Sequence, residues 1–150
     1  GTRGFGVYAA YRMFAVRDSA IVPVKSPDAV RLSDLKGYER QKKAVTENTL
    51  ALLDGRPAAN VLLYGDAGTG KSSTVKALVN EYYGRGLRLV ELNKKQAADI
   101  PAVMEELRYN PLKFILFIDD LSFAQESDDF YALKAVLEGS ALIYVVGQPV

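Results

Sequence analysis

The stretch Val61–Ser72 reads VLLYGDAGTGKS, and its succession of residue types decides the fold. Its first four residues are apolar and predict a buried parallel strand. Gly65 to Ser72 then fit the pattern G-x-x-x-x-G-K-[ST]. Apolar residues follow at helical spacing and predict an amphipathic helix over Ser72–Tyr83: Val75, Leu78, Val79 and Tyr82. Strand, glycine loop and helix therefore come in the order that a phosphate-binding loop requires.

The residue types of this loop explain how it would hold phosphate. Its glycines let the backbone adopt angles that a Cβ forbids, so successive N–H groups can face inward at the positive end of the following helix. Lys71 would then reach the β- and γ-phosphates, and the Ser72 hydroxyl would ligate Mg²⁺. We therefore predict a nucleoside-triphosphate site formed by Gly65, Asp66, Ala67, Gly68, Thr69, Gly70, Lys71, Ser72 and Ser73.

The composition excludes several kinds of chemistry. With 150 residues the chain is long enough for one domain with a core. It has no cysteine and no histidine, which excludes disulfides, thiol catalysis, His-based triads and His metal sites. The net charge of +1 gives no push toward nucleic acid or anionic membrane. No apolar run approaches the roughly 18–20 residues of a membrane span, and no signal peptide is visible, so we expect a cytoplasmic protein with no membrane partner.

A second apolar run, Phe114–Ile118, ends in two adjacent acids, Asp119 and Asp120. It is apolar on both faces, which predicts a central strand, and open α/β sheets bind ligands beyond the carboxyl ends of their strands. We expect Asp119 to act with Ser72 at Mg²⁺ and Asp120 to orient or deprotonate the attacking water. Because an Asp is shorter than a Glu by one methylene, we expect hydrolysis to be slow.

Residues 1–29 are predicted to form an N-terminal extension that ends in a linker, KSPDA, at residues 25–29. Aromatic residues recur there at every third position, between arginines: Phe5, Tyr8, Tyr11 and Phe14. This spacing favours an amphipathic helix packed on the domain or on a neighbouring subunit, with a single-stranded nucleic-acid platform as the alternative. The segments Phe14–Arg17 and Ala20–Val24 also predict a small hairpin, in which Pro23 would hold the second strand at an edge.

Strands and helices are predicted to alternate along the rest of the chain. The predicted helices cover Glu39–Leu53, Ile100–Leu107 with Pro101 in its first turn, and Asp128–Glu138. Leu87–Leu92 predicts a half-exposed strand near a sheet edge, and Ala141–Val146 predicts the last strand. Alternating strands and helices indicate a parallel sheet covered on both sides.

Taken together, these segments resemble the AAA+ class of P-loop ATPases. LSDLKGYE at 32–39 is similar to the segment with which AAA+ proteins hold adenine. The runs at 31–49, 61–92, 114–123 and 133–140 resemble a bacterial family of predicted AAA+ ATP-binding proteins of uncharacterised function, a match from about Val30 to Ser140. The resemblance implies the roles stated above for Lys71 and Ser72 and for Asp119 and Asp120. It also implies adenine contacts near Leu35, Gly37 and Tyr38. It also implies an α/β P-loop NTPase three-layer sandwich whose parallel sheet has the order 5-1-4-3-2, with Leu87–Leu92 at the edge.

The function implied by this resemblance is that of a Mg-ATP-dependent ATPase. Residues 30–150 would form its nucleotide-binding core, and it would work as a homo-oligomer on a protein or nucleic-acid target. The lid domain and the arginine finger would lie beyond Val150, and the sensor position falls on Gln148 rather than on the usual Asn. We therefore expect this chain to bind nucleotide better than it hydrolyses it.

Two other functions remain open at the level of sequence. One is a nucleotide-dependent switch with little turnover. The other is a P-loop kinase, which would need an acceptor pocket and a basic lid that the sequence does not indicate. ATP is preferred over GTP because no guanine-reading motif is apparent, and Mg²⁺ is the expected metal.

Overall fold

The computed structural model describes residues 6–37, 39–55, 61–64, 71–107, 110–119 and 142–147. The helices in these segments are α1 (Gly6–Ala10), α2 (Glu39–Leu53), α3 (Lys71–Tyr82) and α4 (Ile100–Leu107). The strands are β1 (Met13–Arg17), β2 (Ala20–Pro23), β3 (Val61–Tyr64), β4 (Leu87–Asn93), β5 (Lys113–Asp119) and β6 (Leu142–Gly147). Short 3₁₀ helices cover Leu32–Asp34, Tyr83–Arg85 and Lys94–Asp99. The helix predicted over 128–138 lies outside the described residues, and within them no helix has the length and apolarity to span a bilayer.

The strands form one open, mostly parallel sheet in the order β2-β1-β4-β5-β6-β3. β1 and β2 pair antiparallel as the predicted hairpin, and the other neighbouring strands pair parallel. From β3 onward, the succession β3-β6-β5-β4 agrees with the 1-4-3-2 part of the expected order. No fifth core strand occurs among the described residues, so the complete order stays a prediction.

The predicted edge position of Leu87–Leu92 is wrong, because β1 covers the outer side of β4. Phe14 pairs with Val90, and the Leu89 N–H donates to the Arg12 carbonyl at 3.1 Å. These partners are more than 70 positions apart in the chain, so no local pattern could reveal them. The edge is instead formed by β2, which confirms the predicted edge position of this strand, although β2 ends at Pro23 rather than at Val24. A proline there removes no ladder hydrogen bond.

The helix predicted from the N-terminal aromatic spacing is only partly right. α1 has five residues and ends before Tyr11, and Phe14 belongs to β1. Tyr8 and Phe14 are buried with their ring centroids 4.9 Å apart, and Tyr8 also meets the Phe114 ring edge-on at 5.6 Å. These two rings are therefore core residues, which removes them from a nucleic-acid platform. Phe5 lies outside the described residues.

The main hydrophobic core lies between α2, α3 and one face of the sheet. The helices contribute Val45, Val75, Leu78 and Val79 to this cluster, and the strands contribute Met13, Leu87, Leu89, Ile115 and Phe117. All the strand residues stand at odd-numbered positions, as the two-residue period of a strand requires for one shared face. The face that α3 covers is therefore the odd-numbered face of β1, β4 and β5.

Candidate functional site

The predicted phosphate loop connects two elements that the structure describes. β3 ends at Tyr64, and α3 begins at Lys71, one residue before the predicted start. Gly65 to Gly70 lie outside the described residues. Lys71 and Ser72 therefore occupy the first turn of a 12-residue helix, where free N–H groups and the helix dipole favour an anion. Ser73, the next residue, is half-buried.

The register of the sheet brings Asp119 level with the end of β3. Leu63 pairs with Val146 of β6, and the preceding β6 residue, Val145, pairs with Ile118 of β5. Asp119 therefore continues the row of Val146 and Leu63. Because neighbouring strands are about 4.8 Å apart, Asp119 is about 10 Å from β3, across the intervening strand. Both strand ends lie at the carboxyl edge of the sheet, where α/β folds bind ligands.

Asp119 also stands on the face that α3 covers. Alternation along β5 places its position on the same face as Ile115 and Phe117, and these two side chains pack in the cluster that contains Val75 and Leu78 of α3. Asp119 is thus level with the end of β3, the strand that precedes α3, and its position is on the face of the sheet against which α3 packs. In chemical type, a carboxylate residue suits Mg²⁺, which prefers hard oxygen ligands, and a helix N-terminus suits phosphate.

Sequence reasoning missed one polar residue in this row. Asn93, the last residue of β4, pairs directly with Asp119. A polar residue at the last position of a predicted strand was the available signal. The other predicted acid, Asp120, and the predicted sensor, Gln148, lie outside the described residues.

The segment expected to contact adenine lies between a 3₁₀ helix and α2. Leu35 is half-buried and follows the 3₁₀ helix Leu32–Asp34, and Gly37 adopts a left-handed φ of 84°. Tyr38 lies outside the described residues. A cleft of about 530 Å³ opens beside this segment and is lined by Leu32, Ser33, Leu35, Glu39, Lys42, Lys43, Thr46 and Glu47.

Lys42 fixes this segment to α2 and was not predicted as a site residue. Its Nζ donates to the Leu35 carbonyl at 2.7 Å and lies 2.9 Å from Glu39 Oε1. The side chain is only 12% exposed, so the ammonium holds the backbone of Leu35 in a defined place. The signal was its position on the same stripe of α2 as the buried Val45 and Thr49.

Comparison with protein families gives a match over nearly the whole chain. A family described as "Protein of unknown function (DUF815)" matches residues 7–144. The match includes α1 and the β1–β2 hairpin, whereas the resemblance seen in the sequence begins near Val30.

Curated relatives and solved structures are similar to parts of the chain. The replication factor C large subunit of Staphylothermus marinus is 30% identical over 115 residues, which are 71% of this chain and 26% of that protein. Human replication factor C subunit 4 is 39% identical over 78 residues, 50% of this chain and 21% of that protein. The chain thus spans about a quarter or less of these relatives.

AMPPCP-bound DnaA from Aquifex aeolicus superposes with a TM-score of 0.54 at 19% identity. The superposition covers 84% of this chain and 44% of that one. The structural neighbours are AAA+ P-loop ATPases, and the likeness shows that this chain has their α/β fold.

Proposed function

The chain belongs to the family described as "Protein of unknown function (DUF815)", and we propose that it binds Mg-ATP and hydrolyses it. One observation carries this proposal: Asp119 stands level with the end of β3, the strand that precedes the glycine-rich sequence and α3, on the face of the sheet against which α3 packs. The AAA+ fold supports it, as does the sequence GDAGTGKS, which follows β3 and runs into the first turn of α3.

The residues around the loop would divide the work of holding the nucleotide. The N–H groups of Gly65 to Ser72 would cradle the phosphates, and Lys71 would neutralise the β- and γ-phosphate oxygens. Ser72 and Asp119 would hold Mg²⁺, which when bound draws charge away from the transferring phosphoryl group. Leu35, Gly37 and Tyr38 would contact the adenine, with Lys42 keeping the Leu35 backbone in place.

Asp120 would accept the proton of the attacking water or orient it. Its carboxylate is one methylene shorter than the glutamate that would reach the water best, so turnover would be slow. This feature favours the second candidate function, a nucleotide-dependent switch in which ATP is held and turnover is incidental. Asp120→Glu separates the two readings. A rise in ATP turnover with unchanged affinity supports an ATPase limited by this side chain, and unchanged turnover favours the switch.

We further propose that the chain acts as part of an oligomer on a macromolecular target. The curated relatives are named as subunits of replication factor C, so these relatives are parts of a multi-subunit protein. The target class is a protein or a nucleic acid. A P-loop kinase remains the weaker alternative, and transfer of phosphate from ATP to a small acceptor would identify it.

The first experiment measures binding of a fluorescent ATP analogue with and without Mg²⁺ to wild type, Lys71→Ala and Lys76→Ala. Lys76 lies on the same helix, about 1.4 turns beyond Lys71. Lys76→Ala therefore removes the same charge as Lys71→Ala, but at a position away from the loop. We expect wild type to bind the analogue in a Mg²⁺-dependent way, and unlabelled ATP to displace it better than GTP. Lys71→Ala should lose this binding, and Lys76→Ala should keep it. Equal weak binding by all three proteins would overturn the proposal.

For the metal, Asp119→Asn is compared with Asp18→Asn. Asp18 is an exposed carboxylate in the hairpin turn, where Asn is also well tolerated because Asn accepts left-handed backbone angles. Loss of the Mg²⁺ dependence only in Asp119→Asn is the expected result. Equal Mg²⁺ dependence in both variants would show that Asp119 does not hold the metal.

A further inference from the structure

A stacked pair of flat groups lies at the amino end of the sheet. Arg12 directly precedes β1, and Tyr83 directly follows α3. The guanidinium carbon of Arg12 lies 4.1 Å from the centre of the Tyr83 ring, and its Nη1 donates to Asn80 Oδ1 at 3.1 Å. The half-buried Arg12 side chain is thus ordered against the ring of Tyr83, a residue that is 41% exposed. We call this feature the Arg12–Tyr83 surface.

A second arginine lies behind this surface. Arg88 is buried, and its Nε donates to the Tyr8 carbonyl at 2.7 Å, while Nη1 donates to the carbonyls of Tyr83 and Leu87 at 2.7 and 2.8 Å. Carbonyl groups satisfy its donors but do not neutralise its charge. Burial lowers the pKa of Arg88, and the nearby positive charge of Arg12 lowers it further. The positive electrostatic potentials of Arg12 and Arg88 therefore add.

Two other arginines near this end of the molecule are neutralised by carboxylates. Arg31 makes a two-pronged pair with Glu81, with both N–O distances 2.8 Å, and Arg85 Nη2 lies 2.7 Å from Asp54 Oδ1. Neither Arg12 nor Arg88 has a carboxylate partner within the part of the chain that the structure describes. The uncompensated positive charge is thus concentrated beside Tyr83, where an anionic group is attracted.

The exposed ring indicates which anion fits. Among the described residues, the large apolar side chains that are exposed are Tyr83 and Val7 of α1. An acidic peptide would use the charge of Arg12 but would gain little from the ring. A single-stranded nucleic acid uses both, because phosphates pair with arginine and bases stack on aromatic and guanidinium planes. We propose that the Arg12–Tyr83 surface binds single-stranded nucleic acid, with Arg12 on a phosphate and Tyr83 against a base.

This surface is far from the proposed nucleotide site. Arg12 and Tyr83 lie before the first residues of β1 and β4, whereas Asp119 lies at the last residue of β5. The seven residues of β4 separate the two edges by about 20 Å. The proposal therefore stands independently of the ATP site, and we expect a variant of one site to leave the other intact.

The test measures fluorescence anisotropy of a labelled 12-nucleotide oligothymidine with wild type, Tyr83→Ala, Arg12→Gln and Arg85→Gln. We expect Tyr83→Ala to weaken binding roughly 10- to 100-fold, since one stacked base contributes this much. Arg12→Gln weakens binding and reduces the slope of log affinity against log salt by about 0.7, as loss of one phosphate contact does for single strands. Arg85→Gln removes the same charge from an ion-paired arginine, so it should bind like wild type.

Further measurements decide between partner classes and exclude misfolding. Tyr83→Ala and Arg12→Gln must keep the circular dichroism spectrum of wild type, and Lys71→Ala must bind the oligonucleotide normally. Equal affinity of wild type and Tyr83→Ala for the oligonucleotide would overturn the proposal. So would displacement of the oligonucleotide by polyglutamate at equal charge concentration, which would instead identify an acidic protein segment as the partner.

Discussion

At the scale of single residues, Tyr8 shows how burial and charge act on one hydroxyl group. Its O–H donates to Glu106 Oε1 at 2.7 Å, while its ring packs against Phe14 and Phe114. Burial raises the pKa of Tyr8 well above its ordinary value, and the negative charge of Glu106 raises it further. The neutral phenol is therefore the form that the folded protein favours.

This raised pKa predicts a specific alkaline effect. A group whose pKa is higher in the folded state contributes stability that is complete below the unfolded pKa, about 10 for tyrosine, and that is lost as the pH rises above it. Tyr8→Phe should cost about 1 kcal/mol at pH 7 through the lost hydrogen bond, and the gap to wild type should narrow above about pH 10. Urea denaturation at several pH values checks this expectation, and a constant gap would contradict it.

Arg88 shows where residue patterns mislead. Its alternation with Leu87 and Leu89 predicts an outward-facing polar side chain on a half-exposed strand, yet the residue is buried. The cause is α1, because the carbonyls of Tyr8 and Ala9 accept hydrogen bonds from its guanidinium. Alternation predicts which face a side chain takes, but it does not reveal what a distant segment places over that face. By contrast, the pattern that predicts the phosphate loop is contiguous from Gly65 to Ser72, and the loop itself stays a prediction.

At the scale of elements, the β1–β2 hairpin was predictable from its own residues. Its two-residue turn, Asp18-Ser19, has φ values of 49° and 63°, the left-handed angles of a type I′ turn. Neither residue is a glycine, so the turn carries conformational strain. The Ser19 hydroxyl offsets part of it by donating to Asp99 Oδ1 at 2.9 Å.

Two substitutions at Ser19 separate strain from hydrogen bonding. Ser19→Ala and Ser19→Gly both remove the hydroxyl, but only glycine adopts a positive φ without a Cβ penalty. Ser19→Gly should therefore be more stable than Ser19→Ala by about 1 kcal/mol in urea denaturation. Equal stability of the two variants would mean that the turn relaxes to other angles.

The docking of this hairpin was not predictable, although the hairpin itself was. The pairing of β1 with β4 joins segments that are far apart in the chain, and it turns an expected edge strand into an interior one. Whether residues 1–29 are a separable extension, as predicted, therefore depends on how much they contribute to the stability of the sheet. Four buried residues would leave the core with the hairpin and α1: Tyr8, Met13, Phe14 and Val16.

Removing residues 1–24 should abolish cooperative folding. At about 2 kcal/mol for each of the four buried apolar side chains, the loss approaches the total stability of an ordinary domain, roughly 5–15 kcal/mol. The deletion would also expose the outer edge of β4, which favours aggregation. Near-UV circular dichroism and thermal unfolding of residues 25–150 test this prediction. A fragment that unfolds cooperatively at the wild-type temperature would instead show that residues 1–29 are a separable extension.

At the scale of the whole molecule, the sheet separates two edges with different chemistry. Asp119 lies at the carboxyl edge, level with the end of the strand that leads into α3, and Arg12 and Tyr83 lie at the amino edge. The nucleotide site proposed at the first edge stays a prediction, but the strands, the helix and the acidic strand end that form this edge were predictable from the sequence. The second was not, since Arg12 and Tyr83 are 71 positions apart and meet only because β1 lies next to β4.

The proposed ATP site predicts that nucleotide stabilises the whole fold. A ligand that binds only the folded state at 100 times its Kd adds about 2.7 kcal/mol, which for a chain of this size raises Tm by about 5–10 °C. Differential scanning fluorimetry with Mg-ATP should show this rise for wild type and for Tyr83→Ala, but not for Lys71→Ala. A rise that persists in Lys71→Ala would place the nucleotide elsewhere, because that lysine stands at the point where the loop meets α3. A rise lost in Tyr83→Ala would show instead that the two edges of the sheet are coupled.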